Sequence, residues 1–193
     1  MTTILIRSET VADAAAREDL LESAFGPARF EKTCERLREG RLPAIALVAE
    51  QDGRIVGSVR LWAVAAGPGR SALVLGPLAV DAGLRRAGIG ARLVGAALNQ
   101  AAVGGHGAVL LVGDAPYYAR FGFSAAPTEA LWMPGPVERE RFLAVELQAG
   151  ALAGARGLVS PTGPVAPKPD LAALVAAAMA AANDDGRGVR QAA

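Results

Sequence analysis

The sequence predicts an α+β domain with a mixed, mostly antiparallel central sheet, helices on its flanks, and a gap where one strand parts from its neighbour. Three observations carry this expectation. Three β-prone runs between residues 45 and 80 are joined only by glycine-bearing turns, which makes an antiparallel meander. A segment of helical period, 88–102, then leads into the continuous apolar run Ala108-Val109-Leu110-Leu111-Val112, and a strand reached through a helix pairs parallel. Gly76-Pro77 interrupts the third run. Proline donates nothing to a ladder and an internal glycine marks a bulge, so pairing is expected to break near Leu78.

The elements follow in order. Ile4-Leu5-Ile6-Arg7 is a short strand, and residues 13–25 place Leu20, Leu21 and Ala24 at helical spacing before Gly26-Pro27 stops them. A second helix is expected over 28–39, with Phe30, Thr33, Cys34 and Leu37 on one inward stripe and Gly40 as its stop. Residues 45–50 and 55–64 are strands joined by the hairpin turn Gln51-Asp52-Gly53-Arg54, and Gly67-Pro68-Gly69 turns the chain into 71–80. The helix over 88–102 buries Ile89, Leu93, Ala96, Ala97 and Ala101. A short helix is expected over 115–120, and late strands near 130–133 and 142–147. Beyond Gly150 the composition turns to Ala, Gly and Pro. The domain is therefore expected over 1–157, with 158–193 a linker and tail whose helix, 171–182, packs on the domain or on a second copy as a homodimer.

Composition excludes several classes. A chain of 193 residues favours one domain with an appendage. Twenty Lys and Arg against 19 Asp and Glu leave a net charge of +1, so no global field draws it to nucleic acid or membrane. No run approaches the roughly 18–20 apolar residues of a membrane span, and residues 1–17 lack a basic segment followed by an apolar one, so a cytoplasmic protein is expected. A single cysteine, Cys34, forbids an internal disulfide, and no base is evident beside it, so it reads as a small core thiol. The single histidine, His106, sits in a glycine turn far from any G-x-S-x-G elbow. No metal is expected.

Two motifs carry chemistry. Arg85-Arg86-Ala87-Gly88-Ile89-Gly90-Ala91 falls where a strand ends and a helix begins. A helix start leaves about four N–H groups without intrahelical partners and gathers positive potential. Glycines let phosphate oxygens approach that backbone, and the arginines add charge at the rim. The segment therefore reads as a pyrophosphate cradle. A Walker A loop would need a lysine that is absent, and a Rossmann fingerprint would need a third glycine where Leu93 stands. The second motif, residues 113–123, holds the only two tyrosines, Tyr117 and Tyr118. Tyr117 reads equally as packing or as part of the site, whereas the Tyr118 phenol can protonate a departing anion near the cradle.

In element order and in both motifs the chain resembles the GNAT acetyltransferase superfamily. Leu-Gly-Pro-Leu-Ala-Val together with Tyr-Tyr-Ala-Arg-Phe-Gly-Phe is similar to its YhbS-like branch. The resemblance covers residues 4–157. It implies the GNAT fold, with a V-shaped splay between two central parallel strands, and acetyl-CoA as cosubstrate for transfer to a primary amine, in a small molecule or a peptide. On this resemblance Arg85, Arg86, Ala87, Gly88, Ile89, Gly90 and Ala91 bind the pyrophosphate. Leu78, Ala79 and Val80 offer backbone groups to the pantetheine arm and the thioester, and Tyr118 protonates the leaving thiolate. Asp114, standing where relatives commonly carry asparagine, and Tyr117 complete the cofactor-binding set. The glutamate that many relatives carry on the 71–80 strand as general base is missing, which leaves the base open among Glu50, Asp114 and Glu146 acting through a water. Two rival classes remain: a catalytically silent acyl-CoA-binding regulatory module, and an interaction protein working through its tail helix.

Overall fold

The meander forms as its turn residues require. In the computed structural model, which describes residues 3–167 and Val175, the sheet has eight strands. Strand β1 (Ile4–Ser8) precedes helix α1 (Ala14–Phe25), and β2 (Ile45–Gln51), β3 (Arg54–Ala66) and β4 (Ser71–Val80) follow as consecutive antiparallel neighbours. Asp52 and Gly53 both take left-handed backbone, at φ 51° and 76°, as a two-residue hairpin demands. Helix α2 (Ile89–Val103) then crosses over to β5 (Ala108–Val112). A four-residue helix α3 (Ala115–Tyr118), β6 (Leu131–Trp132), β7 (Phe142–Glu146) and β8 (Gly157–Pro161) complete the chain. The main strand order is β1-β2-β3-β4-β5-β7, and β8 pairs with both β3 and β6.

The irregularity predicted in β4 organises the sheet. Val59 faces Leu78 and Leu61 faces Leu75, so Gly76 and Pro77 together stand opposite Arg60 as a bulge. Gly76, at φ 139°, takes a conformation that side chains avoid, and the Trp62 indole Nε1 donates to its carbonyl at 2.7 Å. The break falls at Gly76-Pro77 itself, and the ladder to β3 resumes at Leu78. On the other side β4 pairs parallel with β5 only at Leu73–Val109 and Val74–Leu110. Beyond those pairs β4 stays with β3, while β5 stays with β7 as far as Val112. The two central strands therefore part in a V.

Each face of the sheet has its own core. Helix α2 lays Ile89, Leu93, Val94 and Ala97 against Leu47, Val59, Leu73 and Val109. On the opposite face Trp62, Val74, Leu110 and Phe142 meet Leu37, Leu131 and Val159. Leu20 and Leu21 of α1 close over Ala79. Helix α1 is also fixed electrostatically: the Glu9 carboxylate accepts from Arg17 Nε at 3.0 Å and from Arg60 Nε at 2.9 Å, which ties it to β3 beside the bulge.

Two expectations are corrected. Residues 28–39 do not form one helix but two short 3₁₀ segments, Pro27–Glu31 and Thr33–Leu37, separated by an extended Lys32 at φ −67°, ψ 140°. The extended residue resets the helical phase, so Phe30 points outward at 58% exposure and only Leu37 of the predicted stripe is fully buried. Tertiary bonds hold the break: Thr33 Oγ1 donates to the Pro136 carbonyl and Arg36 Nη1 to that of Pro134, each at 2.5 Å. Residues 158–161, read as the start of a linker, instead belong to β8, whose Val159, Ser160 and Pro161 pair antiparallel with the end of β3, and Ala166 N–H still bonds the Gly40 carbonyl. The expected boundary at 157/158 thus falls inside a strand. The predicted tail helix, 171–182, lies outside the described residues apart from Val175.

Trp62→Phe keeps most of the packing but strands the Gly76 carbonyl. A loss of about 1–2 kcal/mol in urea unfolding is expected, the usual cost of a buried acceptor left without its donor. An unchanged midpoint would show that the indole bond does not hold the bulge.

Candidate active site in the splayed sheet

The cradle is built by the exit from β4. Asp81 caps a short turn, Ala82–Leu84, by accepting the Gly83 N–H at 2.8 Å. The chain then passes through left-handed Arg86 (φ 71°) and Gly88 (φ 78°) into α2. Arg92 N–H makes the first helical bond, to the Gly88 carbonyl at 3.0 Å, so the amides of Ile89, Gly90 and Ala91 have no carbonyl within the helix. The Ile89 side chain is buried and anchors the helix start, while Arg85, Arg86, Ala87 and Gly88 are exposed around it. A Cβ on Gly88 would meet nothing within 4 Å, whereas one on Gly90 would lie 3.1 Å from the Tyr117 hydroxyl. Tyr117 thus borders the cradle, and it also packs edge-on against Tyr118 with ring centroids 4.9 Å apart.

Tyr118 is positioned by the end of β5. A Cβ on Gly113 would lie 2.3 Å from Tyr118 Cε2, so only glycine lets the ring cross the strand there. Phe123 meets the ring edge-on at 5.7 Å. Burial, reinforced by Tyr117 and Asp114 nearby, pushes the phenol up to about 12. It is therefore a neutral donor at neutral pH. Asp114 is exposed, and its carbonyl accepts the Tyr118 N–H at 3.0 Å to start α3.

A cleft of about 730 Å³ lies in the splay. Leu75, Gly76, Pro77 and Leu78 form one wall, Val112 and Tyr118 the other, and the 3₁₀ segments with residues 136–138 and Arg141 close over it. Leu78 and Tyr118 are brought together here as the sequence predicted. Ala79 is buried, and Val80 and Arg85 border a second hollow of about 530 Å³ against α1. Glu50 and Glu146 are not brought to the cleft. Glu50 is paired with Arg7 at 2.8 Å, and Glu146 accepts the N–H groups of Gly150 and Leu152. The carboxylates that do line the cleft are Glu31 and Glu138, which no motif marked.

Cys34 packs against the Leu37 and Phe142 core as expected and also lines the cleft, and burial pushes its thiol up, away from the nucleophilic thiolate. Arg29, Lys32 and Arg38 line the same wall. Sequence reading missed them because a continuous helix would have turned them to solvent as an ordinary charged face. Their density between residues 29 and 38 was the available signal. Among the described residues no three His, Cys, Asp or Glu side chains cluster to hold a metal, and no helix is long and apolar enough to cross a membrane.

Comparison with known proteins agrees with this architecture. The acetyltransferase (GNAT) domain family matches residues 43–125. The uncharacterized N-acetyltransferase YhbS of Escherichia coli K12 is 34% identical over 158 residues, covering 81% of this chain and 95% of that protein. The crystal structure of Escherichia coli YhbS in complex with CoA superposes with a TM-score of 0.73 at 32% identity, over 84% of this chain and 91% of that one. A GNAT family acetyltransferase from Brucella melitensis, solved with acetyl-CoA, gives a TM-score of 0.57 at 30% identity, over 74% of this chain and 96% of that one. A splayed mixed sheet, an open helix start beside it and relatives matched over nearly their full length lead to one conclusion: the chain belongs to the GNAT acetyltransferase superfamily, as a YhbS-like acyltransferase.

Proposed function

We propose that this chain transfers the acetyl group of acetyl-CoA to a primary amine by direct attack in a ternary complex. The observation that carries the reading is the meeting of three features at one splay: the open start of α2, the unpaired inner edge of β4 beyond Val74, and the buried neutral phenol of Tyr118. Acetyl-CoA supplies an activated thioester, and the CoA and acetyl-CoA complexes of the two relatives support that choice of cosubstrate.

The chain's own groups divide the work. Amides and side chains from Arg85 to Ala91 receive the diphosphate, with the α2 dipole and the two exposed arginines favouring its charge. Tyr117, beside Gly90, adds a hydroxyl at the edge of that cradle. Those N–H and C=O groups of the Leu78–Val80 stretch that face away from β3 pair with the amide-bearing arm as an added strand would. Asp114 sets the start of α3 and so the position of Tyr118, which gives its proton to the leaving thiolate. The raised thiol of Cys34 supports direct attack over an acyl-enzyme. The absence of a carboxylate on β4 favours the alternative of a silent acyl-CoA-binding module, and turnover with an amine separates the two.

Gly90→Leu is expected to weaken acetyl-CoA binding about tenfold or more in a calorimetric titration while the fold persists, since the new side chain occupies space that phosphate oxygens need. Unaltered affinity would reject the cradle. Tyr118→Phe is expected to lower kcat about 100-fold with little change in KM for acetyl-CoA, the usual scale for a general acid. Equal rates would strip the phenol of its role.

The raised phenol also makes a pH prediction. A free tyrosine ionises near 10 and the folded one at about 12, so stability held by the neutral buried ring is whole below pH 10 and is lost as pH rises towards 12. Urea melts at about pH 9 and about pH 11 should show a larger loss for the wild type than for Tyr118→Phe. Parallel losses would mean the ring is not buried as described.

A further inference from the structure

We infer that the acceptor amine carries an oxyanion, a carboxylate or a phosphate, which the cationic wall of the cleft binds while the amino group faces the splay. This rests on the acetyl-transfer reading above and adds the acceptor's chemical class to it.

The wall is short of acceptors. Arg38 has a side chain only 10% exposed and is held through Nε alone, which donates to Glu35 at 2.5 Å. Among the described residues its Nη1 and Nη2 have no hydrogen-bond acceptor, and Nη1 is turned to the bulge, 3.8 Å from where a Cβ on Gly76 would stand. Arg29 gives Nη2 to Glu18 at 2.6 Å, yet its Nε is buried without a partner. Lys32 Nζ stands 4.8 Å from the centre of the Phe25 ring, with no carboxylate in ion-pair range among the described residues. Arg29 Nε is withdrawn from water without a hydrogen-bond acceptor, and the Arg38 Nη groups and the exposed Lys32 ammonium border the cleft without one among the described residues, an arrangement that favours an anionic ligand. The two Nη groups of Arg38 also form the fork that matches two oxygens of one carboxylate or phosphate.

The opposing charges do not cancel this preference. Glu18 and Glu35 hold Arg29 and Arg38, and Glu22 stands 4.0 Å from Arg29 Nε, all three without lining the cleft, while the carboxylates on the cleft itself are Glu31 and the exposed Glu138, the latter 3.9 Å from Arg141. Four cations, Arg29, Lys32, Arg38 and Arg141, thus line the cleft against two carboxylates. A second ammonium on the acceptor would meet this surplus, whereas an oxyanion relieves it. The same cations disfavour a protonated amine at the splay, which helps the nucleophile lose its proton where β4 offers no base.

The test uses the full chain with acetyl-CoA, CoA release being followed by thiol detection. Matched amines are compared: butylamine with γ-aminobutyrate, ethanolamine with phosphoethanolamine, and putrescine as the dication. An acid-bearing amine is expected to exceed its neutral partner and putrescine in kcat/KM by about tenfold or more, and the two pairs tell carboxylate from phosphate. Arg38→Gln should reduce that ratio about tenfold through KM, Lys32→Gln less, and Arg70→Gln on the exposed β3–β4 turn not at all. CoA affinity, measured on each variant, reports that the fold is retained. Preference for putrescine, or a ratio unmoved in both cleft variants, would overturn the inference. Calorimetric titration of the acid-bearing amines into CoA-saturated protein separates it from the reading beneath. Binding without turnover fails acetyl transfer and keeps the oxyanion site; turnover of butylamine with no binding of either acid fails the oxyanion site alone.

Discussion

Everything functional in this fold depends on a hydrogen-bond ladder that stops. Past Val74 the β4 backbone pairs with β3 and leaves β5 to pair with β7, because Gly76-Pro77 bends the strand and Pro77 has no N–H to offer. Backbone polar groups left inside a sheet are costly unless something pairs with them, which is the physical basis for proposing an extended, amide-bearing ligand there. On the β5 side, pairing with β7 runs to Val112 and Gly113 N–H bonds the Arg141 carbonyl; the β3 side is fastened at two further points. Trp62 fastens the Gly76 carbonyl, and the buried Glu9 fastens Arg60 opposite the bulge to α1.

From that gap the remaining parts fall into place through single close approaches. Gly113 lets the Tyr118 ring lie across the end of β5, and burial there keeps the phenol protonated. Gly90 leaves room between the helix start and the Tyr117 hydroxyl, so the cradle and the tyrosine pair share a border although they lie on different elements. A phenol needs both placement and a retained proton to act as an acid, and one packing arrangement supplies both.

The legible features of the sequence were the local ones. Turn chemistry gave the meander, helical period gave α2, and a helix start with its glycines is a contiguous segment whose N–H groups need no distant partner. What escaped reading depends on segments far apart in the chain. Thr33 and Arg36 break the expected 28–39 helix by bonding carbonyls about a hundred residues later, and β8 becomes a strand only because the end of β3 and β6 accept it. Cys34 was read as a core thiol because a continuous helix would have turned it inward, and the extended Lys32 puts it on the cleft as well. The loss of Glu50 and Glu146 as base candidates has the same origin: each is spent on a partner that its own position in the sequence does not reveal.

The same division separates the two sides of the cleft. The stretch proposed for the cofactor, the end of β4 and the start of α2, is one continuous piece of chain that offers mainly backbone groups. The facing wall of the cleft is assembled from residues 25–38 and 136–141, short 3₁₀ segments and loops held by side chain to carbonyl bonds. Arg38, pinned by Glu35 and facing Gly76, is where this wall meets the bulge.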